Sequence, residues 1–164
     1  MSLAMGQNAA ELEKLIETVW QNQISKRLWP ETVRIAQEHI SEGREVWIVT
    51  ASPSQMGEFI AKKLGLTGAL GTTLEIKDGK LTGEFVGEPL HGAVKAVAVT
   101  ALAAERGISL KKSFAYSDSR NDLHLLTRVG HPVAVNPDKE LEKYAKADGW
   151  PILDFKKKAL RANR

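Results

Sequence analysis

Asp118 and Asp122 stand in the stretch Ser117-Asp118-Ser119-Arg120-Asn121-Asp122. It lies between a short apolar run, Ser113-Phe114-Ala115-Tyr116, and a helix-like segment with Leu123, Leu125 and Leu126. The two carboxylates therefore fall on a turn from a strand into a helix. In open α/β sheets that edge, beyond the carboxyl ends of the strands, is where ligands bind. Two hard anionic oxygens there suit a Mg²⁺ ion that keeps several waters and also touches a phosphate. The same stretch also fits a polar loop in which Ser119 or Asn121 caps the next helix.

Two further residues could serve the same chemistry. Thr50 ends the apolar run Glu45-Val46-Trp47-Ile48-Val49 and precedes Ala51-Ser52-Pro53. A hydroxyl at that place, beside the free N–H groups of a helix N-terminus, can hold a phosphate oxygen; it can equally be a strand-end threonine that merely caps. Lys95 lies in His91-Gly92-Ala93-Val94-Lys95-Ala96, and no charge follows it until Glu105. The helix macrodipole opposes a cation near a helix N-terminus. An anionic ligand would give that lysine a reason to be there, whereas a solvated surface lysine needs none.

The elements that position these residues follow from apolar spacing. Leu12, Leu15, Ile16, Val19 and Trp20 recur at helical intervals from about residue 8 to 26. Leu28-Trp29-Pro30 breaks that helix, and a second follows with Val33, Ala36 and Ile40 on one face and Gly43 beyond its end. Residues 45–50 read as a buried strand. Ser52 and Pro53 read as N-cap and first residue of the next helix, which buries Met56, Phe59, Ile60 and Leu64. Thr72–Ile76 and Leu81–Val86 flank Asp78-Gly79, the strongest short hairpin signal. A helix over 92–105, a strand into Ser117, a helix over 122–128, a strand over 131–135, a helix capped at Asn136-Pro137-Asp138 and a last strand at 151–153 complete the series. The alternation predicts an α/β fold, a parallel Rossmann-like sheet with flanking helices and a β-hairpin insertion.

Composition narrows the function classes. The chain has 164 residues, enough for one domain with a real core, and a formal net charge of +3 is too mild to imply nucleic acid. The basic excess gathers in Lys156-Lys157-Lys158, Arg161 and Arg164. With no cysteine there is neither a disulfide framework nor thiol chemistry. No apolar run reaches the roughly 18 residues of a membrane span, and Met1-Ser2-Leu3-Ala4-Met5 does not read as a signal peptide. The expectation is a soluble cytoplasmic protein with no membrane partner.

Taken together, Ile48-Val49-Thr50-Ala51-Ser52, Lys95 and Tyr116-Ser117-Asp118-Ser119-Arg120-Asn121-Asp122 resemble motifs two, three and four of the haloacid dehalogenase superfamily. The branch is similar to phosphoserine phosphatase. Lys77-Asp78-Gly79-Lys80-Leu81-Thr82-Gly83 and Val135-Asn136-Pro137-Asp138 fit the same branch, so the resemblance runs from about Leu12 onward. It implies one domain over 1–164, with residues of about 8–40 as the remnant of a helical cap and 45–155 as the core. It also implies a Mg²⁺-dependent phosphomonoester hydrolase acting on a small phosphorylated metabolite through an aspartyl-phosphate. Thr50, Ala51, Lys95 and Asn121 would contact the phosphoryl group. Asp118 and Asp122 would serve the metal, and Lys95 and Asp122 would be the catalytic pair. Such chemistry needs positioning and charge neutralisation above all.

One motif is missing. The family's first motif, Asp-x-Asp-x-Thr, supplies the nucleophile and general acid. The aspartates here are Asp78, Asp118, Asp122, Asp138, Asp148 and Asp154, and no two are separated by a single residue. The resemblance places the missing strand between the one ending at Thr50 and the one ending near Ser117. An N-terminal segment is therefore expected to be absent, and this chain is expected to be inactive. The alternative is a degenerate, non-catalytic relative that binds phosphate or a partner. A strand supplied by a second copy would make a homodimer obligatory. Ser117 stands where the family usually has glycine.

Overall fold

The computed structural model describes residue 6 and residues 8–155. Residues 1–5 and the basic tail from Lys156 lie outside them. The chain forms two compact units, Met1–Leu90 and His91–Arg164.

The first unit opens with α1 (Ala9–Val19), started by a reciprocal cap: Asn8 Oδ1 accepts from the Glu11 N–H and Glu11 Oε2 accepts from the Asn8 N–H. The helical path continues as a π turn over Trp20–Ile24 and a 3-10 turn over Ser25–Arg27, so its sequence limits hold while its last two turns are not α-helical. The extended backbone at Leu28 ends it. Pro30 then opens α2 (Pro30–Ser41), because proline's fixed φ suits the first helical position. Gly43 follows at φ 77°.

Next comes a parallel βαβ unit: β1 (Trp47–Pro53), α3 (Ser54–Lys63) and β2 (Gly68–Thr72). Here the structure corrects two sequence readings. Ser52 and Pro53 extend β1 instead of opening the helix, and α3 has no side-chain cap. β2 carries no strand signal in the sequence, because Gly68-Ala69-Leu70-Gly71 lacks the branched residues that mark one. Its glycines answer to packing. A Cβ on Gly68 would sit 2.6 Å from the Trp47 ring, and one on Gly71 would sit 2.5 Å from Ser54 Cα.

The hairpin follows the sequence closely: β3 (Leu74–Lys77) and β4 (Lys80–Phe85) pair antiparallel around Asp78 and Gly79, both at positive φ. It is more than an insertion. Leu81 of β4 packs with Leu12 and Ile16 of α1, flanked by Met56, Phe59 and Leu74. The Gly6 N–H donates to the Leu81 carbonyl at 2.9 Å, and Asn8 bridges to Lys80. Thr72, 2% exposed, closes the base of the hairpin, donating to the Ala51 carbonyl at 2.8 Å and accepting from the Leu90 N–H at 3.0 Å.

The second unit holds α4 (Ala93–Glu105), β5 (Phe114–Ser117), α5 (Leu123–Leu126), β6 (His131–Val135), α6 (Lys139–Ala147) and β7 (Ile152–Leu153). β5, β6 and β7 form a parallel sheet in that order, with Ser117 opposite Ala134 and Val135 opposite Leu153. Leu126, Ala134, Leu141 and Ala145 are fully buried between this sheet and its helices, with Ala115, Leu123, Trp150 and Ile152 around them. Burying a leucine side chain contributes roughly 1.5–3 kcal/mol, so α5 and α6 are held mainly by this cluster. Parallel pairing with covering helices in both units is the α/β architecture that the alternation predicts.

Candidate functional site

The second unit brings most of the candidate residues to the carboxyl end of β5. The chain leaves the strand at Ser117, turns through Asp118 and Ser119, makes a 3-10 turn over Arg120–Asp122, and enters α5. Ser119 caps that turn, its Oγ accepting from the Asn121 N–H at 3.2 Å. The capping role is thus real.

Lys95 lies in the first turn of α4, three residues after Gly92, whose φ of 53° starts the helix. Its Nζ donates to Asp122 Oδ1 at 2.8 Å. The two side chains keep only 12% and 15% of their surface exposed, so the pair is largely withdrawn from water. The macrodipole penalty on Lys95 is offset by a specific carboxylate. The other oxygen of Asp122 accepts from the Ser117 hydroxyl at 2.7 Å, and Ser117 Oγ accepts from the Ser119 N–H at 3.2 Å. A continuous path therefore runs from an ammonium through a carboxylate and a hydroxyl to a main-chain N–H. Ser117, noted in the sequence only as a departure from glycine, supplies the second partner that orients Asp122.

Asp118 differs from Asp122: it is exposed, and its carbonyl accepts from the Asp138 N–H at 2.8 Å. Asn121 is exposed as well. By its residue type and place Asp138 reads as a helix cap, within the Val135–Asp138 stretch that carries part of the resemblance. Its Oδ1 accepts from the Glu140 and Leu141 N–H groups at 3.1 and 2.8 Å, which is that cap, while its Oδ2 accepts from the Arg120 N–H at 2.8 Å. The main-chain N–H groups of Leu141 and Arg120 chiefly hold its carboxyl below the ordinary aspartate range. Outside it, the Arg120 guanidinium pairs with Glu140.

A divalent cation fits this loop in part. Among the described residues no group of three or more His, Cys, Asp and Glu side chains is placed to hold a metal. Both Asp122 oxygens already accept hydrogen bonds, which leaves Asp118 as the exposed carboxylate of the motif. One carboxylate is a partial shell for an ion that takes six oxygens, even counting waters and a phosphate oxygen.

In the first unit, Thr50 precedes Ala51 at an irregularity of the β1–β2 ladder, between Val49 and Pro53. Thr50 Oγ1 accepts from the Ser52 N–H at 3.0 Å, so the hydroxyl proton remains available as a donor. The Ala51 carbonyl is taken by Thr72.

The family model for haloacid dehalogenase-like hydrolases matches residues 2–127. Phosphoserine phosphatase SerB1 of Mycobacterium tuberculosis is 46% identical over 151 residues, covering 92% of this chain and 49% of that protein. A histidinol-phosphatase of Neisseria meningitidis is 41% identical over 126 residues, covering 74% of this chain and 57% of that protein. The chain thus spans about half the length of the curated relatives it matches. Among solved structures, a protein of unknown function from Bordetella pertussis Tohama I superposes with a TM-score of 0.83 at 32% identity, over 90% of this chain and 68% of that one. A substrate-bound phosphoserine phosphatase superposes with a TM-score of 0.65 at 27% identity, over 95% and 70%. No described helix is long and apolar enough to cross a membrane. With the motif residues in order along the chain and the family model matched over most of it, this chain belongs to the haloacid dehalogenase-like hydrolases.

Proposed function

We propose that the second unit carries the charge-neutralising half of a phosphomonoester hydrolase site for a small phosphorylated metabolite. The observation that carries this reading is the Lys95–Asp122 pair, a sheltered ammonium held at the carboxyl end of a parallel strand. A phosphoryl group arriving there meets a cation already oriented, so its negative charge is stabilised without reorganisation. Asp122 is the positioning carboxylate for Lys95. Asn121 offers an amide donor to a phosphate oxygen. Asp118 is the residue that would hold Mg²⁺, and the ion would supply charge neutralisation when bound. Within the first unit, Thr50 and Ala51 are proposed as phosphate-binding residues, through the Thr50 hydroxyl and the uncapped first turn of α3. The names of the relatives support a phosphatase, and those naming phosphoserine support a small phosphorylated amino acid as the substrate class.

Calorimetric titration of the purified chain with inorganic phosphate tests the reading. Binding is expected, weakened at least about tenfold by Lys95→Ala, the loss of one charge-assisted contact. Phosphate affinity unchanged by that substitution would reject it. The absence of an Asp-x-Asp-x-Thr sequence favours a second reading, a relative that binds phosphate without turnover.

A further inference from the structure

Asp138 makes more bonds than a helix cap needs. Its N–H donates to the Asp118 carbonyl at 2.8 Å, and its Oδ2 accepts from the Arg120 N–H at 2.8 Å. One residue at the end of β6 therefore grips the two peptide groups that follow Asp118, 118–119 and 119–120, just past the end of β5. Its other oxygen starts α6 through Glu140 and Leu141, and Leu141 is fully buried in the core. Asp118 is thus tied through Asp138 to a rigid, packed helix, although its own side chain is exposed on a loop.

We propose that Asp138 is a positioning residue for Asp118, fixing the main chain that carries this carboxylate. The inference rests on the reading of Asp118 as the metal ligand. An exposed loop carboxylate held only by its own turn would sample many orientations, and each would have to be frozen out when a cation binds. With the two peptide groups that follow it bonded to one anchor, part of that ordering is done in advance. A cap alone would need one oxygen; the second oxygen and the main-chain N–H serve the Asp118 turn.

The test uses the full chain and three variants. Asp138→Asn keeps an oxygen for the α6 cap, since Asn and Asp cap about equally well. It replaces the second oxygen with a donor group, so the Arg120 N–H loses its acceptor. Asp138→Ala loses both roles, and Asp118→Asn removes the proposed ligand. Amide hydrogen exchange reports the main chain, and line broadening of amide resonances by added Mn²⁺ reports the site without any reaction. In Asp138→Asn, exchange at Arg120 is expected to rise by about tenfold or more while the α6 amides stay protected. Mn²⁺ affinity should fall between those of the parent and Asp118→Asn. In Asp138→Ala the α6 amides should exchange faster as well. Parental exchange at Arg120 in Asp138→Asn overturns the proposal, and so does faster exchange with parental Mn²⁺ affinity when Asp118→Asn weakens Mn²⁺. Parental Mn²⁺ affinity in Asp118→Asn instead overturns the metal role of Asp118, and this inference with it.

Discussion

Lys95 Nζ and Asp122 Oδ1 meet at 2.8 Å with most of both side chains removed from solvent, and Ser117 donates to the opposite oxygen of the same carboxylate. Removing one member strands the other in a poorly solvated place. Asp122→Leu is expected to cost about 2–3 kcal/mol of stability, between the limits for exposed and fully buried pairs. In Lys95→Met/Asp122→Leu the loss should be smaller than the sum of the two single changes. Urea unfolding of the four proteins checks this, and additive losses would show that the residues do not act as a pair.

Gly71→Ala should destabilise the first unit. The new Cβ would lie 2.5 Å from Ser54 Cα and 2.7 Å from Ser54 N, atoms of the backbone that cannot rotate away. A cost of about 2–3 kcal/mol is expected, read as a lower urea midpoint. A midpoint equal to that of the parent would mean that β2 and the start of α3 move apart without penalty.

His39 gives a pH dependence with a defined sign. Its Nδ1 faces Arg44 Nη1 at 3.0 Å. Burial first and the Arg44 charge second hold its pKa below the ordinary value, against the opposing pull of Glu42 and Glu38. Because the folded pKa lies below the unfolded one, the contribution is present above about pH 6.5. It is lost as the pH falls through the folded value. Stability should therefore decline on acidification from neutral, and His39→Gln should flatten that part of the curve. Denaturant midpoints between pH 5 and 8 decide it; a parallel decline in the variant would assign the effect to other groups.

The purified chain is expected to show no Mg²⁺-dependent hydrolysis of p-nitrophenyl phosphate. Its sequence offers no Asp-x-Asp-x-Thr nucleophile, and electrostatic stabilisation alone opens no covalent route. Turnover abolished by Asp118→Asn would contradict this and point to an unrecognised nucleophile.

Much of the fold was legible because its strongest signals are local. The Asp78-Gly79 turn, Pro30 at a helix start and the run His131–Val135 each have one dominant conformation. β2 was not legible, since its glycines answer to a tryptophan ring and a helix start that come earlier in the chain. The Ser52-Pro53 reading failed because that pair belongs to an irregular strand end, where Ser52 bonds back to Thr50. At the candidate site, spacing and residue type singled out Lys95, Asp118 and Asp122. The partners that orient them, Ser117 and Asp138, gave weaker signals. A serine at a strand end and an aspartate after a proline have ordinary local explanations; the Ser117 bonds are set by how the 118–122 turn folds back, and the further bonds of Asp138 depend on β6 lying beside β5.

The packing of Leu81 beneath Leu12 and Ile16 ties the start of this polypeptide to a hairpin more than sixty residues later. Neither segment has independent means to persist: a helix as short as α1 is marginal in water, and so is a two-stranded ribbon. With Gly6 and Asn8 bonded along the hairpin's outer strand, each supplies the apolar surface that the other lacks. The two therefore open and close as a single cooperative element. Damage to the Asp78-Gly79 turn will be felt first at the beginning of the chain, far away in sequence.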